Sequence, residues 1–455
     1  MNDLASSNKL TRSLQNALFL CLLLAAIYYV QLRLGWIFTA TFPQTTDGFF
    51  YLQEIKHRIH TGQGFYVGFS PFFKLIEMFS VISRVTSELV IFNFVVISSL
   101  LFFSLSLILC VKDKSKYWLL PGLFLLPWVS DVIFFRHYAF VKQAFSISIF
   151  LFGYALYLNL SASKFKSLLS PIALLCMAIG IVSHLFTTAV FIALLFHSFI
   201  FNKHSRSLGL IISFAGASAL FLISFYREKS ILKLWPIEYD LSWLIFCRQN
   251  GCYQFDFAEY IIYMIVFFCL AACYIWKGKF ANPIFVFLVG YLLLLIPIWD
   301  VESEFVYRAA FSSIWLLIFA FSLGLRDSGL HYLAYPVIFI GLLISYPLTT
   351  HLVPEDIYLS SETLASYRKP LQKWIPETAF VHAPHGMQFK ITYFLDRTST
   401  KNISDRGIQQ PLVTFAMPDP SSAVNCTNLD TPEDVPDLNA PCLTIQKGWR
   451  FEKES

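Results

Sequence analysis

Long apolar blocks separated by short polar connectors run through most of the chain. Eleven blocks approach the roughly 20 residues needed to cross a hydrocarbon core about 30 Å thick. They are residues 14–32, 89–111, 118–135, 144–160, 168–183, 186–201, 208–226, 259–276, 283–298, 310–325 and 332–350. The pattern predicts an all-α polytopic membrane protein of about 11 transmembrane helices. The first block lacks a small-residue cleavage site and reads as an anchor rather than a leader. Beyond residue 350 the pattern changes. Ser360–Trp374 has helical periodicity, while Thr378–His382 and Gln388–Asp396 read as short strands of period two. Met417–Pro420 and Asp430–Pro441 are rich in Pro or Asp and read as irregular. The expectation is a membrane module over 1–350, with a first external loop at 33–88, and a small α/β domain over 351–455 ending in an irregular tail.

Loop charge then orients the chain. If the N-terminus is cytoplasmic, the inside segments carry Lys9 and Arg12, Lys112, Lys114 and Lys116, Lys164 and Lys166, Lys203 and Arg206, Lys277 and Lys279, and Arg326. Short basic inside loops are what the positive-inside rule requires. An odd number of spans then puts the C-terminus outside, and the expected location is a bacterial inner membrane. Composition agrees: 56% of the 455 residues are apolar and 14% charged, against about a quarter charged in a soluble protein. The excess charge of +5 is spread over loops, which argues against a nucleic-acid partner.

Cysteine usage follows the same topology. Cys21, Cys110, Cys176, Cys269 and Cys273 lie in apolar blocks, whereas Cys247, Cys252, Cys426 and Cys442 all fall in expected outside segments. An oxidising compartment makes 247–252 and 426–442 the natural disulfide pairs.

The outside segments also hold the candidate chemistry. A helix starting near Asp47 would align Asp47, Tyr51, Glu54 and Arg58 on one face, with Phe49, Leu52, Ile55 and Ile59 on the other. It would lie in the membrane interface with its polar stripe toward a cavity, and Gly62 and Gly64 would stop it just before Tyr66. The alternative makes Asp47 a helix cap and the helix a surface float. Asp131 ends the third block on the same side, followed by Arg136, His137 and Lys142. These three donors could hold a phosphate or reach toward lipid headgroups. Glu304 and Arg308 precede the tenth block, either as site groups or as an ion pair. His184 sits between the fifth and sixth blocks, as a cavity or a structural histidine. No Walker, GxGxxG, HExxH or zinc-type spacing occurs.

Asp47-Gly48-Phe49-Phe50-Tyr51-Leu52, the Gly62-Gln63-Gly64-Phe65-Tyr66 turn and Ser70-Pro71-Phe72-Phe73 together resemble the first external loop of GT-C glycosyltransferases. The likeness is to protein O-mannosyltransferases and aminoarabinose transferases, over about 40 residues. The resemblance implies a polyprenyl-phosphate sugar donor, a glycan, lipid or protein acceptor, and inversion at the sugar carbon. It makes Asp47 the catalytic carboxylate, Asp131 an auxiliary acid and Arg308 a contact to the donor phosphate. Some members use a divalent metal, so Mg or Mn is a further expectation. Tyr393–Arg397 resembles the last strand of that family's small domain. The Trp-Trp-Asp signature of oligosaccharyltransferases is missing from the tail, which argues against protein N-glycosylation. Two other readings remain. Arg136-His137-Tyr138 and His184-Leu185-Phe186-Thr187 resemble Wzy- or EpsG-type polysaccharide polymerases. A lipid-linked sugar transporter or flippase is the third, against which ionisable residues inside the blocks are scarce.

Overall fold

The computed structural model describes residues 2–39, 46–65, 67, 70–111, 114–130, 133–134, 137–138, 140–159, 166–184, 359–383, 387–400, 411–416, 426–445 and 449–453, with isolated positions at 191, 194, 315–316, 318–319 and 322–323. The fold is mostly helical with one small sheet near the C-terminus. The chain forms two compact units. One comprises Met1–Thr39, Ser70–Phe72 and Asn93–Leu352; the other comprises Ala40–Phe69, Phe73–Phe92 and Val353–Ser455. Much of the first loop thus belongs to the same unit as the C-terminal segment.

The first unit contains α1 (Asn2–Thr39), most of α4 (Glu88–Leu109), a 3₁₀ turn at Lys114–Leu119, α5 (Leu120–Val129), α6 (Val141–Asn159) and α7 (Lys166–Ser183). Among the described residues, Arg12–Thr39, Glu88–Leu109 and Val141–Asn159 are long and apolar enough to cross a membrane. Leu14, Leu24, Ile27 and Phe38 of α1 are exposed, as residues facing lipid tails would be. The third block was expected to run over 118–135, but α5 stops at Val129. Arg33 of α1 is buried beneath that end. Its Nε donates to the Trp128 carbonyl at 2.9 Å and its guanidinium lies 4.4 Å from the Phe134 ring centroid. A cation on the last carbonyls of a helix satisfies groups that have no partner inside it. The expected spans from 186–201 onward contain only isolated described positions.

Helices α6 and α7 interlock through small residues. A Cβ on Gly153 would sit 2.7 Å from the Ala173 carbonyl oxygen, and one on Gly180 would sit 2.7 Å from Phe150 Cβ. Ser146 Oγ donates to the Gly180 carbonyl at 2.6 Å. Close backbone approach and a hydroxyl donor suit helices that gain little hydrophobic drive from a lipid surround.

The second unit is built around α2 (Thr46–Thr61). With it are α3 (Pro71–Ser83), α8 (Ser361–Ser366), α9 (Arg368–Trp374), α10 (Met387–Leu395) and strands β1 (Phe380–His382), β2 (Thr398–Thr400), β3 (Leu412–Ala416), β4 (Thr427–Asn428), β5 (Cys442–Ile445) and β6 (Trp449–Lys453). The sheet order is β2-β1-β3-β6-β5-β4, with β1 parallel to β2 and β3, and β6 antiparallel to β3 and β5. Three expectations are corrected here. Gln388–Asp396 is not a strand but α10, which buries Met387, Ile391, Phe394 and Leu395 on the side packed against α2. Tyr393–Arg397 is accordingly the end of that helix and its exit, with five strands outside it in the chain order after β1. The tail is not wholly irregular, since β3 to β6 lie in it; the Asp430–Pro441 stretch is turn and coil, and Met417–Pro420 lies outside the described residues. Ser360–Trp374 is helical as two pieces meeting at Tyr367, and Pro370 explains the break because it has no N–H to bond the Ser366 carbonyl. Cys426 and Cys442 are joined by a disulfide next to β4 and β5.

Candidate functional site

Helix α2 begins at Thr46, so Asp47 is its second residue. Gly62 follows its last turn at φ +70°, the left-handed conformation that glycine adopts without a Cβ penalty. The helix was expected to lie with its polar stripe toward a cavity or, in the alternative, to float on the surface. Instead both faces are packed. Phe49, Leu52 and Ile55 are buried, and the aromatic face meets α10: Phe49 lies 5.6 Å from Tyr393 and 5.5 Å from Phe394, and Phe50 lies 5.5 Å from Phe389. Tyr393 in turn donates to Glu88 Oε1 at 3.0 Å. Its hydroxyl is held well above the usual phenol range, chiefly by burial and then by the Glu88 carboxylate.

The polar stripe is buried as well. Glu54 is 0% exposed and Arg58 5%. Arg58 Nε pairs with Glu54 Oε2 at 3.0 Å and Nη1 with Glu77 Oε1 of α3 at 3.1 Å, while Nη2 donates to the Val67 carbonyl. Glu54 Oε1 accepts from the Val67 amide at 2.7 Å, and Lys74 pairs with Glu77. Two carboxylates and two cations therefore balance, with Glu54 and Arg58 buried and Lys74 at the exposed edge. A Cβ on Gly64 would overlap the Val67 carbonyl oxygen and Arg58 Nη2, so only glycine fits beneath the guanidinium. Glu54 and Arg58, expected to line a substrate cavity, clamp the turn after α2 onto α3. Tyr51 packs with Phe50 and Phe73 at 5.3 and 6.2 Å.

In the first unit His137 is fully buried. Its Nδ1 lies 2.8 Å from the Ile133 carbonyl, which can only accept, so Nδ1 carries the proton and Nε2 accepts from Ser148 at 3.1 Å. Ser99 Oγ joins the same network through Ser148 at 3.4 Å. Burial pushes the imidazole down to about 4, leaving it neutral at physiological pH. Nδ1 thus holds the local backbone at Ile133, while Nε2 joins the Ser148–Ser99 contact between α6 and α4. Lys142 is half-buried in the first turn of α6, and His184 is buried just past α7. Asp131, Arg136, Tyr66, Glu304, Arg308, Cys247 and Cys252 lie outside the described residues. Among the described residues no group of three His, Cys, Asp or Glu side chains could hold a metal ion.

Several partners carry no sequence signal. Nothing in the spacing links Glu77, Lys74 or the Val67 backbone to Arg58, nor Arg33 to the end of α5. Only Gly64, two residues beyond Gly62, marks the place of the clamp.

No protein-family model matches the chain, and neither does any curated protein. Among solved structures it is similar to the oligosaccharyltransferase of Archaeoglobus fulgidus. Against the complex with Zn and sulfate, identity is 16% and the TM-score 0.47, covering 84% of this chain and 62% of that one. Against the AglB complex with an inhibitory peptide and a dolichol-phosphate, identity is 13% and the TM-score 0.47, covering 88% and 65%. This chain therefore spans less than two thirds of their length. A likeness at this level assigns neither family nor activity to it.

Proposed function

We propose that this protein is a membrane glycosyltransferase that moves a sugar from a polyprenyl-phosphate donor to a glycan, lipid or protein acceptor at the extracytoplasmic face. The observation that carries the reading is the setting of Asp47. It opens a helix whose aromatic face and whose far end are both locked, by α10 and by the Glu54–Arg58–Glu77 clamp. Catalytic groups act from rigid elements because misplacement by an ångström costs rate steeply. A carboxylate in the first turn of such a helix, in a loop that resembles the GT-C first external loop, suits a general base. Asp47 takes the proton of the attacking acceptor oxygen as that oxygen bonds to the sugar carbon. The bond from that carbon to the phosphate oxygen breaks, and the lipid phosphate leaves with the electron pair. Arg136, Lys142 and Arg308 are the cations proposed to meet its charge. Asp131 would act as an auxiliary acid.

The test is turnover in membranes supplied with a polyprenyl-phosphate sugar, alongside the melting temperature. Asp47→Asn keeps the size and capping ability of the side chain but cannot take a proton. The expected loss is about 10²-fold or more at unchanged melting temperature. Near-normal turnover would overturn the reading and favour the polymerase alternative, in which Arg136 and His184 become the sensitive positions.

A further inference from the structure

The second unit holds a small pocket that the transfer mechanism does not use. Gln53, Lys56, His57, His60, Thr61 and Phe65 line it together with Asp396, enclosing about 250 Å³. That is below the roughly 300–1,000 Å³ of pockets for drug-sized ligands, so it suits one small unit. From residue 47 to Lys56 is nine residues, about 14 Å along a helix at 1.5 Å per residue. The pocket's nearest lining residue on that helix, Gln53, is six residues from position 47, about 9 Å, so the pocket lies further along the helix than the proposed base.

Three features describe what would fill it. Gln53 is 5% exposed and its Oε1 is buried without a hydrogen-bond partner. A buried orphan acceptor is costly, and a ligand hydroxyl that donates to it would remove the cost. Secondly, the one lining carboxylate is shared with a cation from outside the lining. Asp396 Oδ1 pairs with Lys56 and Oδ2 with Arg368, both at 2.8 Å. One carboxylate thus faces two cations, and the Lys56 ammonium keeps two donors beyond that pair. Thirdly, the remaining wall combines groups that donate or accept with one apolar face. His57 and His60 supply imidazoles, and Phe65 meets His57 edge-on at 5.3 Å. The Thr61 hydroxyl is committed to the His57 carbonyl at 2.8 Å and shapes the rim. His60 and Thr61 are exposed, whereas Gln53 forms the floor.

We propose that this pocket binds a saccharide unit bearing an anionic group. Sugar hydroxyls reach Gln53 and the imidazoles, the ring face rests on Phe65, and the anion meets Lys56. This assignment does not depend on the transfer activity, and its test reads binding alone. The full-length protein in detergent is titrated with galacturonic acid, glucose 6-phosphate and neutral galactose, and binding is followed by saturation-transfer NMR. The expected result is binding of the carboxylated or the phosphorylated sugar, with neutral galactose about tenfold weaker or more, since a charge-assisted contact is lost. The first two probes separate a uronic acid from a sugar phosphate as the source of the charge.

Gln53→Leu should weaken the bound sugar while melting at or above the wild-type temperature, because it removes the orphan amide. A residue that serves only the fold would do the reverse. His60→Ala, at an exposed position, should weaken binding without touching the core. Equal binding of galactose, no binding of any probe, or full binding by both variants overturns the proposal.

Discussion

Two helix pairings in this molecule achieve close contact by opposite means. In the first unit, α6 and α7 meet through Gly153, Gly180 and Ser146, where the absence of side-chain volume lets backbones touch. In the second, α2 meets α10 through large rings, and its other side is held by the buried Glu54–Arg58–Glu77 ion cluster. A helix of membrane-crossing length such as α6 gains little from burying more apolar surface, since lipid tails are apolar already, so it gains from proximity. Helix α2 instead removes aromatic surface and charge together. Its specificity comes from which partners can neutralise the charges.

That contrast can be broken from either side. The largest effect is expected from Arg58→Met, which takes the paired cation from the fully buried Glu54 and leaves Glu77 to Lys74. A loss of about 3–5 kcal/mol is expected, read as a lower melting temperature in detergent, with proteolytic cleavage appearing after Gly62. Gly180→Val tests the first unit. Its Cβ would meet Phe150 Cβ at 2.7 Å and the Ser146 carbonyl at 2.8 Å, so overpacking should cost about 1–3 kcal/mol in the same melting assay. The smallest effect sharpens the comparison within α2 itself. Lys56 and Asp396 are 28% and 40% exposed, unlike Arg58 and Glu54 on the same helix turn. Lys56→Met should therefore shift stability by less than about 1 kcal/mol, as screened ion pairs do. A loss matching that of Arg58→Met would mean that burial is not what separates the two pairs.

Part of this was legible without coordinates. The apolar blocks at 14–32, 89–111, 144–160 and 168–183 coincide with α1, α4, α6 and α7, because apolar runs of that length leave the backbone few other ways to satisfy its polar groups. The start of α2 near Asp47 and its stop at Gly62 were equally local, the stop being set by a glycine that accepts positive φ. The Ser360 cap was local too: its hydroxyl accepts from the Thr363 amide at 3.1 Å.

What the sequence by itself determined is where the long apolar helices run and which side chains carry charge, since both are written locally along the chain. Only the tertiary structure decided what those charges do. Arg58 finds Glu77 nineteen positions on, Arg33 finds Trp128 ninety-five positions on, and Lys56 finds Asp396 across 340. It also decided that Met387–Leu395 is a helix. Its alternating Phe389, Ile391, Tyr393 and Leu395 satisfy a strand as readily as the buried set satisfies a helix. Packing against Phe49 and Phe50 settles that choice, and no period along the chain contains that information.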